Sequence, residues 1–256
     1  MGRRGWIALG MALAPGIAQA SGSCEAHSNA ATIPLLELYT SEGCSSCPPA
    51  DRWFSSLLAT PQGSDLNLLA FHVDYWDGLG WRDRFAQKAF SLRQRNRVRV
   101  GGSSTVYTPQ LMLSSRLRLN WNQPSTVLEA IRTDAAQPAR AQLGLRARPG
   151  SGAWRVELGA AANPAVGNGA QLYLALYEDA LVSQVSTGEN AGDTLRHDRV
   201  VRGLWGPWPL ALRRLDVQPP QSGNPKRMGL TAFVQDAQGQ TLQSLALPLV
   251  DCPASN

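Results

Sequence analysis

Apolar residues fall in short unbroken runs through the first half of the chain and alternate with polar residues through much of the second. Ile33 to Thr40, with Pro34 at its start, reads as a strand covered on both faces, and Leu66 to Asp74 as another. Between them Trp53, Phe54, Leu57 and Leu58 recur at i, i+1, i+4 and i+5. This stripe predicts a helix from about Pro48 to Ala59, ended by Pro61-Gln62-Gly63. Tyr75 to Trp81 reads as an aromatic-rich loop, and Phe85, Ala89 and Leu92 predict a helix over about 82–95. Ser104 to Leu113 and Arg116 to Trp121 flank Ser114-Ser115 as a β-hairpin, and Pro124-Ser125 open a helix that runs to about Ala136.

From about Ala141 the texture changes. Gln142 to Arg148, Ala153 to Leu158 and Gln171 to Tyr177 alternate, and Gly229 to Gln235 and Thr241 to Leu247 flank the turn Asp236-Ala237-Gln238-Gly239. Strand, helix, strand, helix implies a parallel pair with a right-handed crossover. Short alternating strands separated by Gly, Pro and Asn imply an antiparallel sandwich. The expected architecture is therefore an α/β domain over 21–138 and a small all-β antiparallel sandwich domain over 139–256, with a boundary near Gln137-Pro138.

The first twenty residues are set apart as a secretory signal peptide. Arg3 and Arg4 form its basic start, Trp6 to Ile17 the apolar run, and Ala18-Gln19-Ala20 an A-x-A cleavage site, so the mature chain is expected to begin at about Ser21. Gly10, Pro15 and Gly16 break the apolar run, which is also too short for an anchor; no stable membrane insertion is expected after cleavage. Without Arg3 and Arg4 the formal charge of +5 falls to +3, and the arginines are interleaved with acids. The densest basic run, Arg93 to Arg99, reads as the solvated end of a helix, and no nucleic-acid partner is expected.

Chemistry concentrates at Cys44-Ser45-Ser46-Cys47, between the first strand and the first helix. Unpaired N–H groups at a helix N-terminus favour thiolate over thiol, so this spacing describes a dithiol redox site. A closed zinc site needs a second ligand pair, yet Cys24 and Cys252 stand alone at the two ends, so no metal is expected. Pro48 occupies the position where a c-type haem would need His, and a purely structural Cys44–Cys47 bridge would close too small a loop to be a useful staple. Cys44 and Cys47 are thus the expected catalytic pair, with Cys44 the outer attacking thiol, Cys47 the resolving one and no cofactor. In an oxidising compartment Cys24 and Cys252 remain to form a structural disulfide.

Of four further features, three carry two readings each. Thr108-Pro109 either starts an edge strand or presents the Thr108 main chain to an extended substrate segment beside Cys44, with Pro109 in the cis form. His72 and Asp74, two apart on a strand, share a face and form either a structural pair or an auxiliary proton shuttle or metal ligand. Gly188 to Gly192 with His197-Asp198 reads as a hairpin turn and strand of the sandwich, not as a site. Trp205 to Trp208 reads as a packed loop, although exposed aromatics there would suit a partner.

The order strand, C-x-x-C, helix, strand, helix, Thr108-Pro109, hairpin and helix resembles the thioredoxin fold, in which a cis proline faces the active-site cysteines. More closely, Tyr39 to Asp51 (YTSEGCSSCPPAD), Phe71 to Asp77 (FHVDYWD), Tyr107 to Gln110 (YTPQ), and Gly188 to Gly192 (GENAG) with His197-Asp198 resemble the secreted bacterial family catalogued as domain of unknown function 1223. The resemblance implies an α/β thioredoxin-like domain and a periplasmic or secreted location, and activity only by analogy. Gly43 before Cys44, and Pro48-Pro49 after Cys47, depart from ordinary thioredoxins; Pro48 disfavours helix at Cys47 and removes a donor, so the helix is expected to start later and give the sulfurs a weaker dipole. The expected function is an exported thiol-disulfide oxidoreductase acting on protein or small-molecule thiols and disulfides. A copper-binding or other metal-binding module, or a protein-binding module without turnover, is the alternative.

Overall fold

The computed structural model describes residues 23–252 apart from 62–64, 164–165 and 167–168, so the expected signal peptide lies outside the described residues. In chain order the elements are β1 (Cys24–His27), β2 (Leu35–Thr40), α1 (Cys47–Ser56), β3 (Asn67–His72), α2 (Lys88–Val100), β4 (Gln110–Leu113), β5 (Arg116–Leu119) and α3 (Pro124–Ala135). There follow β6 (Ala141–Pro149), β7 (Trp154–Ala162), β8 (Gln171–Glu178), β9 (Leu181–Gln184), β10 (Thr194–His197), β11 (Val200–Pro209), β12 (Arg213–Val217), β13 (Met228–Gln235) and β14 (Thr241–Pro248). Among the described residues no helix is long and apolar enough to cross a membrane.

The expected α/β thioredoxin-like domain followed by a small all-β sandwich is not the architecture found. Strand outweighs helix, 41% against 22%, and one eight-stranded sheet in the order β14-β13-β8-β11-β3-β2-β4-β5 runs through both halves of the chain. β2 and β3 are parallel, but the outer edge of β3 is not the end of a sheet. β11 pairs there in parallel at Val200 and Ala70, with the Ala70 N–H donating to the Arg199 carbonyl at 2.8 Å, and β8, β13 and β14 continue antiparallel beyond it. An apolar strand such as β3 needs its edge covered, and here the C-terminal half covers it. The second sheet, β1-β6-β7-β12, packs Leu143, Leu145, Val156 and Leu158 against Leu172, Leu174 and Leu230 of the shared sheet. On the other half of the shared sheet, α1 and α3 bury Phe54, Val127 and Ile131 against Leu36, Leu38, Leu68 and Leu111.

α2 begins at Lys88, well after the predicted start near Arg82. The Asp83 carboxylate accepts the N–H groups of Glu42 at 2.9 Å and Phe85 at 2.9 Å, which holds 83–87 out of the helix. The arginine run is also not a solvated helix end: Arg93 and Arg97 are only 8% and 7% exposed. They turn inward toward Glu37, which sits fully buried in the middle of β2. Arg93 donates to both Glu37 oxygens at 3.1 and 2.8 Å and to Gln235 Oε1 of β13 at 3.0 Å, while its guanidinium lies 5.0 to 5.4 Å from the rings of Tyr173, Phe233 and Phe71. Burial works against the Glu37 charge, but Arg93 and Arg97 outweigh it and hold the carboxyl at about 2.

This ionic knot joins β2, α2 and β13, and removing one partner leaves a buried charge uncompensated. Arg93→Leu is expected to lower the unfolding free energy by about 3 kcal/mol, measured from urea midpoints at neutral pH. Because the folded Glu37 carboxyl titrates lower than its ordinary 4.5, its contribution is present above about pH 4.5 and is lost as pH falls toward about 2. The acid limb of the stability curve should be shallower in the variant.

Candidate functional site

β2 leaves the sheet at Thr40 and the chain turns through Ser41-Glu42-Gly43 into the two cysteines. Within that turn the Cys44 N–H donates to the Ser41 carbonyl at 3.2 Å and the Cys47 N–H to the Cys44 carbonyl at 3.1 Å. α1 starts at Cys47 itself, with Pro48 and Pro49 in its first turn, where the missing N–H groups would have been unpaired anyway. Cys44 and Cys47 are bonded, with Cα atoms 5.4 Å apart, and Cys44 Sγ lies 3.3 Å from Ser46 Oγ. Cys24 and Cys252 form a second disulfide, Cα atoms 4.9 Å apart, that ties β1 to the segment after β14.

Cys44, expected to be the exposed sulfur, is fully buried, as is Cys47; Ser45 and Ser46 are the exposed part of the turn. Two loops account for this. Trp76, from the loop after β3, comes so close that a Cβ added at Gly43 would lie 3.2 Å from its Cβ, and its Nε1 donates to Thr108 Oγ1 at 2.8 Å. Thr108 is thus bonded to the loop that packs on Gly43, and the Thr108–Pro109 peptide is cis.

The second loop, between β9 and β10, docks on the turn instead of being a bare hairpin connection. Asn190 Nδ2 donates to the carbonyls of Glu42 at 2.8 Å and Cys44 at 3.1 Å, and Glu189 Oε2 accepts the Ser45 N–H at 2.9 Å. Gly188, at φ 78°, allows the approach: a Cβ there would lie 3.1 Å from Trp81 Cβ.

Behind the cysteines lies a buried group of ionisable side chains from five separate stretches. His197, at the end of β10, reaches Glu42 Oε1 at 3.2 Å and pairs with Asp51 Oδ2 of α1 at 3.6 Å, the latter an ion pair and not a hydrogen bond. The His72 and His197 rings meet edge to face with centroids 4.9 Å apart. His72 Nδ1 lies 2.6 Å from Asp83 Oδ2, so its partner is Asp83 and not Asp74; Asp74 instead accepts from the Ser91 hydroxyl of α2. Trp81 Nε1 donates to Glu42 Oε2 at 2.8 Å. His72 Nε2 is buried with no hydrogen-bond partner. Among the described residues no three or more His, Cys, Asp or Glu side chains are grouped to hold a metal ion.

Burial disfavours every charge here, and the pairing decides the outcome. Burial works against the Glu42 carboxylate, yet the bonds from His197 and Trp81 hold its carboxyl below the ordinary range. Asp83 is lowered in the same way by His72 and by the N–H groups of Glu42 and Phe85. For His197, burial works against the cation, but Asp51 and Glu42 overcome it and push the imidazole up to about 10. A folded value above the ordinary 6.5 contributes stability that is fully present below about pH 6.5 and lost as pH rises through about 10. Denaturant midpoints of the oxidised protein should therefore fall from pH 6.5 to 10, and the decline should flatten in His197→Gln.

Sequence reasoning missed Glu42, Asp51, Asp83, Glu189, Asn190 and His197. Asp51 carried a local signal, four residues after Cys47 on one helix, and Glu42, Glu189, Asn190 and His197 lay in the motifs that carry the family resemblance, yet the last three were read as a hairpin turn and strand; what was hidden is that these stretches, up to about 150 residues apart in sequence, converge.

Fold and site together define a β-rich protein with a C-x-x-C disulfide at a helix start, held by a loop and a histidine of its C-terminal half. Residues 35–235 match the family described as "Protein of unknown function (DUF1223)", and the chain belongs to that family. It is similar in structure to the protein AGR_C_4864 from Agrobacterium tumefaciens, at 23% identity and TM-score 0.62, over 90% of this chain and 100% of that one. It is also similar to HBP35 of Porphyromonas gingivalis, at 13% identity and TM-score 0.67, over 87% of this chain and 77% of that one. At these identities the likeness is one of fold. No curated protein matches the sequence.

Proposed function

We propose that the protein is an exported thiol-disulfide oxidoreductase whose reacting pair is Cys44 and Cys47. The observation that carries this reading is the bonded Cys44–Cys47 pair at the start of α1, backed by buried ionisable groups that a merely structural loop of this size would not need. A substrate thiolate attacks Cys44 Sγ, the Cys44–Cys47 bond breaks, and Cys47 leaves with the electron pair as a thiolate; a second substrate thiolate then attacks the substrate sulfur of the mixed disulfide and Cys44 leaves, giving a substrate disulfide and the reduced pair, and the same steps reversed reduce a substrate disulfide. Pro48 and Pro49 remove donors from the first turn of α1, and Glu42, Asp51 and Asp83 place carboxylates nearby. The site therefore stabilises a thiolate weakly, which favours the disulfide and makes the reduced form the reactive, electron-giving one.

In this reading the Thr108 main chain, with Pro109 next to it, receives an extended segment of a protein substrate; the bond from Trp76, whose loop packs on Gly43, to Thr108 Oγ1 supports it. Export is supported by the A-x-A signal pattern and by two disulfides in one chain. The reduced mature chain should convert glutathione disulfide and insulin disulfides to thiols, followed by thiol release and turbidity. No reaction with either substrate, by a protein whose two cysteines are verified as free thiols, would contradict the proposal.

A further inference from the structure

The exchange chemistry leaves one need unmet, a proton for Cys47, and the buried group behind it is arranged to supply one. Asp51 follows Cys47 by four residues on the buried face of α1. Helical side chains lean toward the N-terminus, which carries the Asp51 carboxylate back over the turn that begins with Cys47. His197 stands behind Asp51 at 3.6 Å. A cleft of about 270 Å³, walled by Pro48, Asp51, Arg52, Thr194, Arg196 and His197, reaches both groups and has room for several waters.

The groups facing His197 from every packed element are Glu42 after β2, Asp51 on α1, His72 on β3 with its partner Asp83, and the Phe85 ring. Arg52 and Arg196 line the cleft, and Asp198 adjoins on the side of Ala70. A Cys47 thiolate would thus form beside carboxylates, where it is disfavoured unless protonated as it leaves.

Resting on the oxidoreductase reading, we propose that Asp51 and His197 are the proton relay of Cys47, filled and emptied through this cleft. In reduction, the substrate thiolate forms a bond to Cys44 Sγ while the Cys44–Cys47 bond breaks. One proton passes from His197 through the Asp51 carboxyl to the departing Cys47 sulfur, and His197 recovers it from water in the cleft. In the reverse direction the Cys47 thiol gives its proton back along the same path and its sulfur attacks Cys44 Sγ of the mixed disulfide, so that the Cys44–Cys47 bond re-forms and the substrate sulfur leaves as a thiolate. The electron pair comes from the substrate thiolate in the first direction and from Cys47 in the second.

The test is the rate at which dithiothreitol reduces the oxidised mature chain between pH 6 and 10, read by acid quench and alkylation. Asp51→Asn should slow reduction by about 10²-fold at pH 7 and Asp51→Glu should recover most of the loss, while His197→Gln should slow it by about tenfold and displace the pH profile. Should His197→Gln fail to fold, the Asp51→Asn and Asp51→Glu pair decides alone, because those changes keep the side chain polar and nearly the same size. Wild-type rates and an unshifted pH profile in the folded variants would overturn the relay and leave the redox reading standing. A wild-type chain that dithiothreitol cannot reduce in its folded state would remove the redox reading, and the relay with it.

Discussion

Replacing Cys47 with serine is expected to trap a mixed disulfide on Cys44, whereas replacing Cys44 with serine should lower exchange by about 10³-fold or more without trapping. Burial does not separate the two sulfurs, since both are closed off. Their surroundings do. Cys44 Sγ contacts the hydroxyl of Ser46, which belongs to the exposed tip of the turn, whereas Cys47 is the first residue of α1 with the buried Pro48 behind it and Asp51 one turn further on. A thiolate arriving from solvent at the exposed Ser45-Ser46 tip meets the Cys44 side first. With Cys47 absent nothing resolves the adduct, so intact-mass measurement after incubation with glutathione disulfide should show one added glutathione on the Cys47→Ser protein. An adduct on the Cys44→Ser protein and none on Cys47→Ser would reverse the roles.

The second large effect is on stability. Cys24 and Cys252 are 228 residues apart in sequence, so their bond closes nearly the whole described chain into one loop. In the chain-entropy account such a closure is worth roughly 5 kcal/mol. The bond also fixes a short edge strand, β1, to the end of the chain, and Cys24 itself is part of the core between the two sheets. The double variant Cys24→Ala, Cys252→Ala should therefore unfold at a much lower urea concentration while keeping the Cys44–Cys47 pair reactive. The double change is needed because a single one leaves a free thiol in a protein that also carries a reactive disulfide. A loss below about 1 kcal/mol would show that the unfolded chain gains little freedom when the bond is removed.

What the sequence made legible was local. The stripe of Trp53, Phe54 and Leu57 located α1 to within about three residues, Pro124 marked the start of α3, and alternation found β6, β8, β13 and β14. Alternation says which residues share a face, not which strand lies alongside, and so the pairing of β11 with β3 was hidden and two domains were expected where one sheet runs through. The arginines of α2 were misread for a similar reason. A charged run looks solvated unless its buried partner is known, and Glu37 lies 56 residues before Arg93 in an otherwise apolar strand. At the site, C-x-x-C was visible because its chemistry is contiguous. His72 found Asp83 instead of Asp74 because the chain after β3 folds back across it, and the docking of Asn190 and His197 depends on contacts about 150 residues away.

The central claim is that Cys44 and Cys47 are a reversible redox pair and not a staple. Equilibrating the folded mature chain in graded ratios of reduced to oxidised dithiothreitol, then alkylating and mapping the cysteines by mass, tests it most directly. The account predicts one two-electron transition confined to Cys44 and Cys47, reached from both directions, with Cys24–Cys252 still bonded throughout. If Cys44–Cys47 stays bonded until the protein unfolds, or opens only together with Cys24–Cys252, the claim is contradicted.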